Sequence, residues 1–173
     1  VSGPGGLRLY LNGNLVASSD YTGSLAAIGS GKMGYLGRSA WREMYPGDQD
    51  FKGQMDEVRL WRVERSEAGI RQFMYSNLSG QEEGLVGLWN FDNVTNGVVK
   101  DLSPGGNDGL LKGNAAVRRD ATLEETMRIS RKNETVLRLD GATGYVELPP
   151  NIFNDLDEAT IEAWVKWDRV GGP

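Results

Sequence analysis

Three groups of side chains in this chain could do chemistry. The first is a set of aspartates in turn-rich stretches. Asp140 precedes Gly141 between two apolar segments, and Asp92, Asp101 and Asp108 lie among Asn, Ser and Gly. Calcium takes several oxygen ligands, mostly carboxylates and loop carbonyls, so Asp140, Asp92 and Asp108 are candidate ligands, with Asp101 beside them. The competing reading of each is an Asx turn, in which the carboxylate accepts N–H groups of its own loop. Asp56 differs. It shares strand parity with Val58 and Leu60, which points it inward. A buried carboxylate must be paired, hydrogen-bonded or metal-bound; Arg59, Arg38, a backbone turn or a metal would each serve.

The second group is aromatic. Trp41, Arg42, Glu43 and Tyr45 share one polar loop, residues 41–50. A flat ring beside a planar polar group is what a saccharide site requires. Trp164 alternates away from Ile161, Ala163 and Val165, which places it on an open sheet face as a further ligand contact. Trp61 and Trp89 read as core. The third group is a pair of strand carboxylates, Glu147 and Glu162. A glycosidase needs two such groups about 5–10 Å apart across a cleft. No ExDxE pattern or sugar-cleft motif accompanies them, so the chain reads as non-catalytic.

Composition narrows the chemistry further. The 173 residues contain no Cys and no His. That excludes disulfides, thiolate and imidazole metal sites, the Ser-His-Asp triad and the usual neutral-pH proton shuttle. A net charge of −5 argues against nucleic-acid and anionic-membrane partners. No apolar run approaches the ~18 residues of a membrane span, so no membrane insertion is expected. Residues 1–6 show neither the basic nor the apolar region of a secretory leader.

The elements that must position these groups are short strands. Gly and Asn/Asp punctuate the chain at a spacing typical of sandwiches and barrels. Leu7, Leu9 and Leu11 alternate with polar or amphipathic neighbours, and Asn12-Gly13 is a type I′ hairpin signal before the return strand at 15–17. Residues 33–39, 51–62 and 85–91 read as strands. Val98-Val99 and Leu110-Leu111 flank a Pro/Gly-rich turn, and 136–139 with 145–148 read as a second hairpin. Residues 160–167 (TIEAWVKW) alternate, with Ile161, Ala163, Val165 and Trp167 on one face. One helix is expected, capped by Ser66, with Ile70, Phe73 and Met74 on one side. Residues 118–135 are charged and read as a surface loop or short helix.

Several of these segments carry a family resemblance. Residues 53–61 (GQMDEVRLW), followed by Arg65-Ser66 and the helix, resemble the closing strand of LamG-like (concanavalin A-like, pentraxin-like) jelly-roll domains of bacterial multidomain proteins. Residues 7–16 (LRLYLNGNLV) are similar to the hairpin of that family. Residues 84–92 (GLVGLWNFD), 136–148 and 159–167 resemble its opening strands. The order is inverted: residues 1–78 resemble the C-terminal half of a domain, 79–83 form a connector, and 84–173 resemble the N-terminal half. A segment straddling two tandem copies, a permuted jelly roll and a split subunit completed by its neighbours all produce this order. In the pentraxin branch, acidic ligands follow the Leu-Gly strand block. Here Leu36-Gly37 leads to Arg38-Ser39-Ala40-Trp41, with Asp48 and Asp50 only later in the loop.

The resemblance implies an all-β antiparallel jelly-roll sandwich with one short helix. It implies a non-catalytic recognition or adhesion module of an extracellular or cell-surface protein, with a periplasmic setting as the alternative. The expected partner is a glycan or protein ligand met by Trp41, Arg42, Tyr45 and Trp164. Calcium is the one cofactor expected, at Asp140, Asp56, Asp92 or Asp108. The competing function is structural: a subunit or repeat that self-assembles into a filament by strand complementation.

Overall fold

A computed structural model describes residues 1–42, 44–119 and 135–168. Strands β1 (Ser2–Gly3), β2 (Gly6–Leu11) and β3 (Asn14–Ser19) open the chain. A 3-10 turn (Leu25–Ile28), β4 (Gly34–Leu36) and the long β5 (Lys52–Trp61) follow, and then the helix α1 (Glu67–Phe73). The rest is β6 (Leu85–Trp89), β7 (Val94–Thr95), β8 (Val98–Val99), β9 (Gly109–Lys112), β10 (Ala116–Arg119), β11 (Thr135–Asp140), β12 (Tyr145–Leu148) and β13 (Thr160–Trp167). All pairings are antiparallel. No helix among the described residues is long and apolar enough to cross a membrane.

Two sheets form a β-sandwich. One has the order β10-β11-β5-β13, with β6 also paired to β5; the other runs β4-β12-β9-β8-β7. Between them lies a core of Val58, Leu60, Trp89, Phe91, Val99, Leu137, Leu139, Val146 and Leu148. Residues from both sides of the 79–83 connector contribute to this one core. A third sheet, β1-β2-β3, hangs from the start of β13, where Ser2 and Ala159 exchange backbone hydrogen bonds of 2.7 and 2.8 Å. The Asn12-Gly13 turn takes positive φ at both positions, as the hairpin signal requires. Arg71 on α1 pins it, donating to the Gly13 carbonyl at 2.9 Å.

The outer face of the β5 sheet is buried too. Trp61, Leu85 and Leu88 pack there with Leu78 and Leu102. With both faces covered, β6 reads as an apolar run, and the end of β5 buries Asp56, Glu57 and Arg59 among Val58, Leu60 and Trp61. The Ser66 side chain caps α1 by accepting from the Gly69 N–H at 3.1 Å. Seven residues of helix cannot hold themselves, so the sheet supplies the rest. Arg59, almost fully buried, donates to Phe73 O and Ser76 O at 2.9 and 2.8 Å and pairs with Glu57 at 2.6 Å. Glu162 completes the cluster with Arg59 at 3.6 Å and Arg65 at 3.3 Å.

The structure corrects four expectations. Residues 136–139 and 145–148 are not a hairpin. β11 pairs with β10 and β5, whereas β12 pairs with β4 and β9, so the 140–144 turn carries the chain between sheets. Asp56 is buried but not on the core side. A bulge at Glu57, whose φ is +49°, sets Asp56 opposite Trp164 rather than in phase with Val58. Trp164 in turn is not on an open face. Its indole N–H donates to Met74 O at 3.1 Å, and Tyr75 packs 5.4 Å from its ring centroid. Arg118, Arg119 and Thr135 belong to strands; the remaining residues of the expected loop, 120–134, lie outside the described residues.

Candidate functional site

The loop between β4 and β5 is built on Asp50. The Asp50 side chain has no exposed surface, and its Oδ2 accepts from Arg38 Nε and Nη2 at 3.2 and 3.1 Å. Arg42 Nη1 reaches the same oxygen at 2.7 Å and Ala142 O at 3.1 Å. Charge-assisted bonds of this type are about twice as strong as neutral ones, which suits them to hold a loop base. Oδ1 of Asp50 is buried with no hydrogen-bond partner among the described residues. The Arg38 guanidinium stacks 3.7 Å from the Tyr145 ring centroid, and Tyr35 meets that ring edge-on. At the loop tip, Ser39 donates to Asp48 at 2.7 Å, and the Trp41 carbonyl accepts from Met44 N and Tyr45 N.

This base holds an apolar tip in solvent. Trp41 is 60% exposed, Met44 64% and Tyr45 57%. The Arg42 side chain keeps 46% of its surface accessible, so it retains donor capacity beyond Asp50. Trp41, Arg42 and Tyr45 are therefore brought into one loop, as their spacing suggests. Trp164 is not brought to them; it lies under the segment after α1. Sequence reasoning missed Arg38 and Asp50 as the pair that anchors the loop. The available signal was an acidic residue at the loop's end with arginines 8 and 12 positions before it.

The aspartates do different work. Asp140 Oδ1 accepts from the backbone N–H groups of Ala142, Thr143 and Gly144 at 3.0, 3.0 and 2.8 Å, and Oδ2 from Asn114 at 3.0 Å. These backbone donors, Gly144 first, hold its carboxyl well below the usual carboxylate range. Asp92 accepts from Thr135 Oγ1 at 2.7 Å and from Asn90 at 3.3 Å. Asp108 pairs with Lys100 at 2.5 Å, which lowers its pKa. Asp56 accepts from the Glu57 N–H at 2.7 Å. Asp101 accepts from Leu88 N, Ser103 N, Ser103 Oγ and Asn107 N, all within 2.9 Å. Among the described residues no three acidic groups converge on a point that could hold a metal. Each of the aspartates singled out above accepts hydrogen bonds from protein donors. Glu147 and Glu162 lie on different sheets, paired with Lys112 at 3.1 Å and with the two arginines.

Comparison with known proteins places a likeness on the first part of the chain. Residues 1–71, less than half of the length, match the model of the concanavalin A-like lectin/glucanases superfamily. No curated protein and no solved structure matches. The N-terminal portion is thus similar to lectin-type sandwich domains, in keeping with the β-sandwich described above.

Proposed function

We infer that the chain is a non-catalytic recognition module of an extracellular or cell-surface protein, and that the 38–50 loop meets its ligand, a carbohydrate or a protein. One observation carries this reading: two arginines fix the loop base to buried Asp50 while Trp41, Met44 and Tyr45 stand in solvent. Exposed rings held by a rigid base can stack on a sugar face, or anchor in a protein pocket, with little ordering cost. The likeness of residues 1–71 to a lectin/glucanase superfamily supports binding. The separation of Glu147 from Glu162 supports the non-catalytic part.

A glycan array probed with the parent and with Trp41→Ala tests it. Binding to a glycan class, lost in the variant while the melting temperature holds, is the expected result. No glycan binding would move the ligand to protein, and binding unchanged in Trp41→Ala would refute the loop as the site. Calcium and chelator arms decide whether a metal takes part. A second reading, filament assembly by strand complementation, draws support from the exposed edge strand β3 and from the outer edge of β13. Light scattering across concentration separates it from a monomeric binder.

A further inference from the structure

Two Asn-Gly turns occur in the chain, and the fold treats them differently. Asn12-Gly13 joins β2 to β3, and Asn96-Gly97 joins β7 to β8. Both positions of each turn have positive φ, 51° and 74° in the first, 52° and 77° in the second. A glycine after an asparagine also leaves its backbone nitrogen free to approach the asparagine side chain, because no Cβ stands in the way. That approach requires the peptide between the two residues to turn out of its left-handed setting. Whatever holds this peptide therefore decides whether the two groups meet.

At Asn12-Gly13 it is held. Its carbonyl, Asn12 O, accepts from Asn14 Nδ2 at 3.2 Å. The next peptide is tied to α1, with Arg71 Nε donating to Gly13 O at 2.9 Å and Nη2 to Asn14 Oδ1 at 2.6 Å. A Cβ on Gly13 would stand 2.7 Å from Arg71 Cγ and 3.3 Å from Met74 Sδ, so α1 lies against the turn. At Asn96-Gly97 the 96–97 peptide is loose. Among the described residues, neither the Asn96 side chain nor its carbonyl nor the Gly97 N–H has a hydrogen-bond partner, and nothing lies within 4 Å of where a Gly97 Cβ would stand. Leu111 N donates to Gly97 O at 2.8 Å, which holds the following peptide instead. Asn96 is exposed. Only two residue pairs, Val94 with Val99 and Thr95 with Val98, close this hairpin, and β7 is the outermost strand of its sheet. Short ladders at an edge open at low cost.

We propose that Asn96 is a site of non-enzymatic covalent modification in the folded chain, by deamidation through a succinimide, and that the like turn at Asn12 is protected. The Gly97 nitrogen gives its proton to hydroxide and forms a bond to Asn96 Cγ. The Cγ–Nδ2 bond breaks, and the nitrogen leaves as ammonia with a proton taken back from water. Water then adds to one of the two carbonyls of the ring. Opening at one gives aspartate; opening at the other gives isoaspartate, with the backbone routed through Cβ. Nothing is oxidised or reduced, and water is the only co-reactant. The product carries a new carboxylate at the tip of the edge hairpin. In the isoaspartyl form the two-residue turn is also one backbone atom longer, which its twist-matched geometry does not accommodate. The inference is independent of the 38–50 loop and of the filament reading.

The test is to age the full chain in mildly alkaline buffer, with and without denaturing urea, and to follow each asparagine by peptide mass and retention. In the folded chain, conversion at Asn96 should exceed that at Asn12 by about tenfold or more. In urea neither turn is held, and the two rates should agree within about twofold. Asn14→Ala with Arg71→Ala, at two exposed side chains, removes the three bonds that hold the first turn. Conversion at Asn12 should then rise by about threefold or more while that at Asn96 stays as it was. Four results would overturn the proposal: an unmodified Asn96 in folded chain when the urea sample has converted, equal rates at the two asparagines in the folded chain, a difference that persists in urea, or an Asn12 rate unmoved by the double substitution.

Discussion

Replacing Arg59 by Met tests how α1 is held to the sheet. Methionine keeps most of the stem volume and removes only the charge and its bonds. The guanidinium leaves behind Glu57, bonded at 2.6 and 3.1 Å, Glu162 at 3.6 Å, and two carbonyls, Phe73 O and Ser76 O. Removing one partner of a buried ion pair costs about 3–5 kcal/mol, because the other charge stays buried. For a chain of this length that is a fall of about 6–20 °C in Tm. The loss should also depend on pH. Burial already pushes the Glu162 carboxyl up, against the opposing pull of Arg65 and Arg59. Without Arg59 it rises further. A group whose folded pKa lies above its unfolded value stabilises fully below the unfolded value and loses that as pH rises through the folded one. The deficit of Arg59→Met should therefore be greatest near pH 7.5 and shrink toward about pH 5. Urea unfolding of parent and variant at both pH values measures it, and Arg59→Met with Glu57→Gln should recover part of the loss. A deficit below about 1 kcal/mol, or one equal at both pH values, would refute this account of the cluster.

Further outcomes are expected from the fold and the site. Leu60→Ala in the inner core and Leu88→Ala in the outer cluster should each cost about 2–5 kcal/mol within one cooperative transition; two resolved transitions would contradict a shared core. Asp140→Asn should weaken the 140–144 turn. Because the Asp140 carboxyl titrates below its ordinary range, its contribution is complete above that range and is lost as pH falls through the folded value. The parent should thus surpass the variant at neutral pH, and their acid unfolding curves should converge. Ser66→Ala removes the one side-chain cap of α1 and should cost about 0.5–2 kcal/mol by denaturant titration.

Features settled by neighbouring residues were legible in the sequence, and those settled across the fold were not. Ser66 as a cap and Asn12-Gly13 as a turn depend only on the next few positions, and both stand as read. Asp140-Gly141 is a real turn, yet the same Asx chemistry serves a hairpin and a passage between sheets. Which one forms depends on β5 and β9, distant in sequence, claiming β11 and β12. The alternation of β13 was visible in TIEAWVKW. The covering of Trp164 by Met74 and Tyr75 was not, because that segment carries no pattern of its own. The loop aromatics were found by composition, and their anchor Asp50 was missed because two arginines converge on it only in three dimensions.

The bulge at Glu57 makes β5 a strand of two phases. Before it, Gly53 and Met55 face the core; after it, Val58 and Leu60 do, and one residue too many separates the two sets. Strands β11 and β6 each match only one phase, and β13 matches both. A one-residue deletion between Met55 and Val58 would therefore remove the bulge and leave both halves on their faces, whereas a one-residue deletion within either half would force part of the ladder to trade faces. Insertions and deletions in this strand away from the bulge should be far rarer across homologues than substitutions, and a position-by-position comparison that ignores the extra residue would misassign the face of Asp56.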